Sequence, residues 1–442
     1  MPTVYVETYG CQMNVSDSEL MLGKLAAHGY DAVDGPDGAD VILVNTCAIR
    51  EHAEQRVIGR LGELKRNMKP GAIVGVTGCM AQRLGPAILD KAKHVSVVIG
   101  PDGYRALPEL IEGARRGNRT IATTFDLEEH YEDFTPRRFD KVKAWIPVQR
   151  GCDYRCTYCI VPTTRGPERS RRLADVVRET EAVVADGMTE VVLLGQTVNS
   201  YHDGEHDFAD LLRAVGGVAG LKRLRFTSPH PNDFSDRVIH AMADVDAVCE
   251  HVHLPMQSGS SRVLKRMLRR YTRETYLECV DRLRAAIPSV SLTTDVIVGF
   301  PGETDEDFEE TLDVVREVGF ADAFTFKFSP RDGTPATRMP PELTVSDEVA
   351  SERLARLVET VRAGARARNL TLLGRRYEVL MEKDARRGGE LLQGRTRDFK
   401  TVLVPGEPAM VGEYHMVELT GTTGSTFTGQ IVRQRQSLPM AG

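Results

Sequence analysis

Gln149-Arg-Gly-Cys152-Asp-Tyr-Arg-Cys156-Thr-Tyr-Cys159-Ile-Val-Pro162 follows the strand-like run Ala144 to Gln149 and places three thiols in one short loop. A four-iron cluster normally takes four cysteines, so three leave one iron with an open coordination position, and an open iron is a catalytic one. Structural zinc and a buried loop with incidental cysteines are the competing readings. Zinc wants four protein ligands, and the next cysteine along the chain is Cys249.

Around this loop the chain reads as six strand-helix units: Ala144 to Gln149, Glu190 to Leu194, Arg223 to Thr227, Val248 to Leu254, Leu292 to Val298 and Ala323 to Phe328. Helical runs between them supply right-handed crossovers, so the expected packing is a partial (β/α)6 barrel with its chemistry on the loops after the strands. Those loops carry Leu194-Gly195-Gln196 and Gly299-Phe-Pro-Gly302-Glu303-Thr304, the latter after Thr293-Thr-Asp295. Glycines there let backbone approach a ligand, and Thr304 with Asp307 reads as a capping box. His251 and His253 alternate on a strand and are expected as satisfied interior residues, and Cys249 and Cys279 as core.

Upstream, strand-like and helix-like runs alternate from Val4 to Ile99, which predicts an open parallel-sheet α/β domain. Cys11, Cys47 and Cys79 follow the first, second and third of its long strands. Loops at the carboxyl ends of parallel strands share one edge, so these thiols can converge, and a second three-thiolate cluster fits them. Downstream of a helical linker from Thr344 to Leu373, β-branched runs at Tyr377 to Met381, Lys400 to Val404, Tyr414 to Thr420 and Thr426 to Val432 predict a small OB-like β-barrel. The expected domains are residues 1–118, 138–370 and 372–436.

The chain has 442 residues and a net charge of -6, so an RNA partner would need local basic surface. Two arginine-rich stretches offer it. Arg150, Arg155, Arg165, Arg169, Arg171 and Arg172 bracket the cysteine loop, while Arg375, Arg376, Lys383, Arg386, Arg387, Arg395, Arg397 and Lys400 crowd the last domain. The start lacks a basic region followed by an apolar one, and no apolar run approaches a membrane span of about 18 to 20 residues. A cytoplasmic protein with reduced thiols is expected.

The cysteine loop closely resembles that of the radical S-adenosylmethionine enzymes, and the whole chain resembles their methylthiotransferase branch. The carrying motifs are Thr8-Tyr-Gly-Cys11-Gln-Met-Asn14, Asn45-Thr-Cys47-Ala-Ile-Arg50-Glu51, Gln149 to Arg171, Leu194 to Tyr201, Phe226-Thr-Ser-Pro-His-Pro231, His253 to Ser260 and Gly299 to Thr304. Thr197 departs from the more frequent asparagine. The resemblance implies two 4Fe-4S clusters, one on Cys11, Cys47 and Cys79 and one on Cys152, Cys156 and Cys159, with S-adenosylmethionine near Tyr158, Gly195, Gln196, Asp295, Gly299, Gly302 and Glu303. It implies methylthiolation at C2 of an isopentenylated adenosine beside the anticodon of a tRNA held by a TRAM module. An electron donor such as flavodoxin or ferredoxin, a sulfur source and a monomeric chain belong to the same expectation. The related branches act on threonylcarbamoyl-adenosine or on a ribosomal-protein aspartate. A metal-stabilised RNA-binding protein without catalysis is the alternative of a different class.

Overall fold

Val41-Ile-Leu-Val-Asn-Thr46 is apolar on both faces and buried along its whole length, as a central strand of a parallel sheet must be when helices cover both sides. The computed structural model describes residues 1–48, 51–385 and 390–432, with backbone alone at 51–53. In it, β1 (Thr3–Tyr9), β2 (Asp31–Ala32), β3 (Val41–Thr46), β4 (Ile73–Gly78), β5 (Val95–Ile99) and β6 (Thr120–Ala122) form one parallel sheet in the order β2-β1-β3-β4-β5-β6. Alternate residues of β3 feed two separate cores: Val41 and Leu43 pack with Leu20, Met21 and Leu25 on one side, Ile42 and Val44 with Val57, Leu61 and Ile88 on the other. The strand order reverses between β1 and β3, and in doubly wound sheets ligands bind outside the carboxyl ends of the strands at that switch point.

The central unit holds β7 (Lys143–Pro147), β8 (Gln149–Arg150), β9 (Arg169–Ser170), β10 (Glu190–Leu194), β11 (Arg223–Phe226), β12 (His251–His253), β13 (Ser291–Val298) and β14 (Asp322–Lys327). Two parallel half-sheets, β7-β10-β11 and β12-β13-β14, are joined by the Leu224–Val248 bridge into a six-stranded, incomplete barrel. The run expected as one strand from Val248 to Leu254 is thereby split, since Val248 pairs with β11 and the chain then crosses to β13 at His251. Cys249 and Cys279 lie in buried core positions.

After the helix Asp347–Leu370, β15 (Arg376–Asp384), β16 (Leu391–Thr396), β17 (Thr401–Pro405), β18 (Tyr414–Thr422) and β19 (Thr426–Ile431) close into a barrel in the order β15-β16-β17-β19-β18. Sequence reading misses β16, which carries Gly394 within the strand. There a Cβ would come within 2.4 Å of Val379 Cγ1, so the tight barrel wall requires glycine.

The small barrel closes the lower mouth of the large one, at the amino ends of its strands. Arg223 Nη1 donates to Arg395 O at 2.7 Å, and Arg225 donates to Arg397 O and Thr396 O at 2.7 and 2.8 Å. In return Arg397 pairs with Glu250 at 2.9 Å, and Phe399 stacks on His251 with ring centroids 4.4 Å apart. This corrects part of the basic-surface expectation: Arg395 and Arg397 are committed within the chain, as is Lys400 to Asp398. Arg375 and Lys383 stay exposed, and Arg376 pairs with Glu418 on the surface. Arg50, Arg386, Arg387 and residues 433–436 lie outside the described residues.

Candidate functional site

The register of the parallel sheet aligns the ends of three strands. Tyr9 pairs with Thr46 and Thr46 with Gly78, so Cys11, Cys47 and Cys79 follow on adjacent strands about 4.8 Å apart. The loops touch, since a Cβ on Gly10 would lie 2.9 Å from Cys47 Cβ. Gly78 takes φ +87°, and a Cβ there would meet Asn45 Oδ1 at 2.4 Å. Close approach of neighbouring loops therefore demands this glycine.

Two buried asparagines lace the loops together. Asn14 Nδ2 donates to Asn45 Oδ1 at 3.1 Å and Thr46 O at 3.3 Å, and Asn45 Nδ2 donates to Asn14 O at 2.7 Å. Asn14 Oδ1 accepts from the Cys11 thiol at 3.5 Å, and Thr46 Oγ1 donates to Thr77 O at 2.7 Å. Asn14 and Asn45 thus hold Cys11 and Cys47 in place, a role visible in sequence only as polar residues beside each cysteine.

The second thiol set is positioned by a small ribbon. β8 pairs antiparallel with β9, and the segment between them, Gly151 to Glu168, holds the cysteine loop and the short helix Val161–Arg165 that follows it. Gly151 takes φ +76°, where a Cβ would fall 1.9 Å from Pro167 O, so the ribbon can close only on glycine. Gln149 joins this loop to the one after β10: its Oε1 accepts from Gln196 N at 2.8 Å and Thr197 N at 3.3 Å, and its Nε2 donates to Gly151 O at 3.0 Å.

Each thiol of the loop meets a distinct setting. Cys152 Sγ lies 3.2 Å from Thr197 Oγ1, and Arg269 Nη1 donates to Cys156 Sγ at 3.3 Å. Burial pushes the Cys159 thiol up to about 12, with Cys156 and Cys152 adding repulsion. Burial likewise raises Cys152, against the Thr197 hydrogen bond. Buried thiols so arranged need cations to hold them as thiolates. Tyr158 is half-buried against Phe300, ring centroids 6.4 Å apart.

The remaining predicted contacts divide. Gly195 and Gln196 lie beside the cysteine loop, and a Cβ on Gly195 would meet Gln149 Oε1 at 2.7 Å. Asp295 stands on the barrel's inner face, 3.3 Å from His253 Nε2. Glu303 turns the other way: its Oε2 accepts from Gly299 N at 2.7 Å and pairs with Arg353 of the linker helix at 2.8 Å. Gly299 and Gly302 both have positive φ, and the Gly302 turn packs against Arg266. Thr304 and Asp307 form the expected capping box.

The two thiol sets face each other across the domain interface. Ile160, next to Cys159, packs with Cys79 and Ala48, while Cys11 and Met13 pack against Trp145, Val192 and Leu194 of the barrel. Arg165, from the short helix after the cysteine loop, donates Nε to Cys79 Sγ at 3.1 Å and Nη2 to Asp17 Oδ2 at 2.6 Å. Burial raises the Cys79 thiol, and Arg165 opposes that rise. Arg150 lies 3.4 Å from the same Asp17, Arg169 pairs with Asp102 at 2.8 Å, and Arg171 pairs with Glu179 at 2.7 Å. Four of the six arginines expected on a phosphate-facing surface are therefore buried: Arg150, Arg165 and Arg169 bind the domains together, Arg171 is paired within the barrel, and Arg155 and Arg172 stay exposed.

The donor set fits iron-sulfur clusters. Nε and Nη1 of Arg150 and Nη1 of Arg165 are buried without hydrogen-bond partners, donors that an anionic group between the domains would satisfy, while Arg150 Nη2 faces Asp17 and its guanidinium lies over the Tyr131 ring. Among the described residues no three His, Cys, Asp or Glu side chains gather closely enough to hold one ion. Ligands of a four-iron cube attach to different irons and stand further apart than those of a single ion.

Comparison with known proteins gives the same picture. Residues 146–315 match the radical SAM superfamily and residues 3–100 match Uncharacterized protein family UPF0004. A tRNA-2-methylthio-N(6)-dimethylallyladenosine synthase of Parafrankia sp. is 48% identical over 98% of this chain and 91% of its own, and one of Thermoanaerobacter pseudethanolicus is 43% identical over 97% and 92%. The radical S-adenosylmethionine methyltransferase TsrM of Kitasatospora setae, solved with cobalamin and a 4Fe-4S cluster bound, shares the fold at TM-score 0.59 and 16% identity, over 76% of this chain and 74% of that one.

Proposed function

The chain belongs to the tRNA-2-methylthio-N(6)-dimethylallyladenosine synthase family, and we propose that it adds a methylthio group at C2 of an isopentenylated adenosine beside the anticodon of tRNA. The observation that carries this reading is the meeting of two three-thiol sets at one interface, with Cys79 of one against Ile160 and Arg165 from the loop of the other. A radical-generating centre and a sulfur-delivering centre must work on the same atom of one base, which requires such proximity.

Cys152, Cys156 and Cys159 would hold one 4Fe-4S cluster and Cys11, Cys47 and Cys79 the other; when bound, these clusters and S-adenosylmethionine supply one-electron chemistry, sulfur and a methyl group. The chain's own part is binding and orientation. Arg269 and Arg165 each donate to a cysteine sulfur and so favour the thiolate, while Thr197 places a hydroxyl against Cys152. Gln149 locks the cysteine loop to Gly195–Thr197, and Asn14 and Asn45 lock the facing loops. Tyr158, next to Cys159 and backed by the buried Phe300, would line the space beside the cluster held by its loop. The target base must leave its stack to enter, which costs less in an anticodon loop than in a duplex. The domains read as 1–118, 138–370 and 372–436, with RNA contacts from exposed bases of the last module such as Arg375 and Lys383. A cytoplasmic monomer served by a flavodoxin- or ferredoxin-type donor and a sulfur source completes the proposal.

Anaerobic reaction of the reconstituted full chain with isopentenylated tRNA, followed by nucleoside mass spectrometry, tests it. A methylthio gain on the isopentenylated adenosine is expected. Product only on threonylcarbamoyl-adenosine, or no consumption of S-adenosylmethionine, would overturn it.

A further inference from the structure

We infer that the inner face of β14, at Phe324 and Phe326, is the seat of the substrate's dimethylallyl chain, with the His253–Asp295 pair on the same wall turned to the adenine. This rests on the function proposed above and names the part of the site that selects the prenylated base. Strand alternation separates the two faces of β14. Ala323 packs into the main core and Lys327 pairs with Asp347 of the linker helix, so those residues face outward to the helices. Phe324 and Phe326 face the barrel's interior, and they are 60% and 36% exposed in a chain whose Phe208, Phe234, Phe300, Phe308 and Phe427 are fully buried. Two phenylalanines left open side by side inside a barrel form an apolar surface that a ligand covers.

The wall is continuous with the cysteine loop. The β13–β14 register sets Asp295 beside Phe324 and Ile297 beside Phe326, and Ile297 and Phe328 pack with Tyr158 and Phe300. At its other end His253 meets Phe324 edge to face at 5.8 Å, Nδ1 at 3.0 Å from Thr293 Oγ1 and Nε2 at 3.3 Å from Asp295 Oδ1. Below that, His251 stacked on Phe399 closes the barrel. One wall thus offers a polar pair suited to a base edge next to an apolar pair suited to a branched five-carbon chain. The family's substrate joins those two chemistries in one nucleotide.

Because Phe324 and Phe326 are exposed, their replacement leaves the core intact. Phe324→Ala, Phe326→Ala and Phe324→Leu in the reconstituted full chain would be titrated with two anticodon stem-loop RNAs, one isopentenylated and one carrying plain adenosine, and assayed for methylthio product. Wild type should prefer the isopentenylated RNA. Each alanine variant should lose about tenfold of that preference through KM, Phe324→Leu should keep most of it, and cleavage of S-adenosylmethionine without RNA should be unchanged. Alanine variants that keep the full preference, in a wild type that shows it and forms product, would overturn the seat alone. Absence of both preference and product in wild type would overturn the underlying function and the seat with it.

Discussion

The two thiol sets reach the same interface by opposite routes. Cys152, Cys156 and Cys159 share one loop, held shut by a two-residue ribbon and by Gln149. Cys11, Cys47 and Cys79 come from three strands, and only the β1-β3-β4 register brings them together. The local set is defined by spacing and would survive in any fold that offers a strand and a helix around it. The distributed set exists only once the sheet is built, so its integrity depends on contacts remote from sulfur. The largest effects should separate the two in function, and smaller ones in stability.

Cys156→Ala should abolish formation of 5'-deoxyadenosine, and Cys47→Ala should retain its formation without RNA while losing methylthio product. Each variant should keep about four of the roughly eight irons of the wild type, measured anaerobically with Mössbauer spectroscopy. Full product from Cys47→Ala, or about four irons in wild type, would dissolve the comparison.

Arg165 belongs to both sets, since it leaves the helix after one cysteine loop and donates to Cys79 and Asp17 of the other domain. Removing one partner of a buried pair costs about 3–5 kcal/mol, because the other is left charged and dry. Arg165→Met should therefore destabilise the chain by that order in urea unfolding and deplete iron from the distributed set first. Adding Asp17→Asn should restore most of the stability but not the iron. Equal stability of Arg165→Met and wild type would show that Asp17 is satisfied by Arg150, 3.4 Å away.

Spacing made the local thiols legible, and the position of each remaining cysteine after a strand made the distributed ones legible as a group. The barrel and the sheet followed from alternating runs. Burial of charge was not legible. Arg150, Arg165, Arg169 and Arg171 look in sequence like any basic surface, and only the partners Asp17, Asp102 and Glu179, far along the chain or on another helix, reveal them as interior. The last module misled in the same way: Arg395 and Arg397 face the barrel's lower mouth, where Arg223 and Arg225 await their carbonyls. Its excision would strand those buried guanidinium groups, so point changes at Arg375 and Lys383 are the cleaner probe of RNA contact.

Thr197 tests the local set at smaller scale. Its hydroxyl lies 3.2 Å from Cys152 Sγ, and a hydrogen bond of this kind is worth about 1 kcal/mol, or roughly fivefold in rate. Thr197→Val should slow cleavage of S-adenosylmethionine by about that factor and Thr197→Ser should not, with iron content unchanged in both. An unaltered rate in Thr197→Val would leave Arg269, on Cys156, as the donor to the sulfurs of this loop that matters among the described residues.

A further effect belongs to the distributed side and is a dependence on pH. Glu19 lies on the helix that follows Cys11, 1% exposed, and burial lifts its carboxyl to about 7, against the Phe139 N–H and Arg138. The unfolded chain releases this proton near the ordinary value of about 4.3, whereas the folded one keeps it until about 7. The folded state therefore binds more protons across that window, and the stability linked to Glu19 is full below about 4.3 and is lost as the pH rises through about 7. Glu19→Gln cannot lose what it never titrates, so its urea midpoint should fall less than that of wild type between about pH 5 and about pH 8. Parallel pH profiles for the two proteins would show that Arg138, rather than a proton, neutralises the carboxylate where the amino-terminal domain meets the barrel.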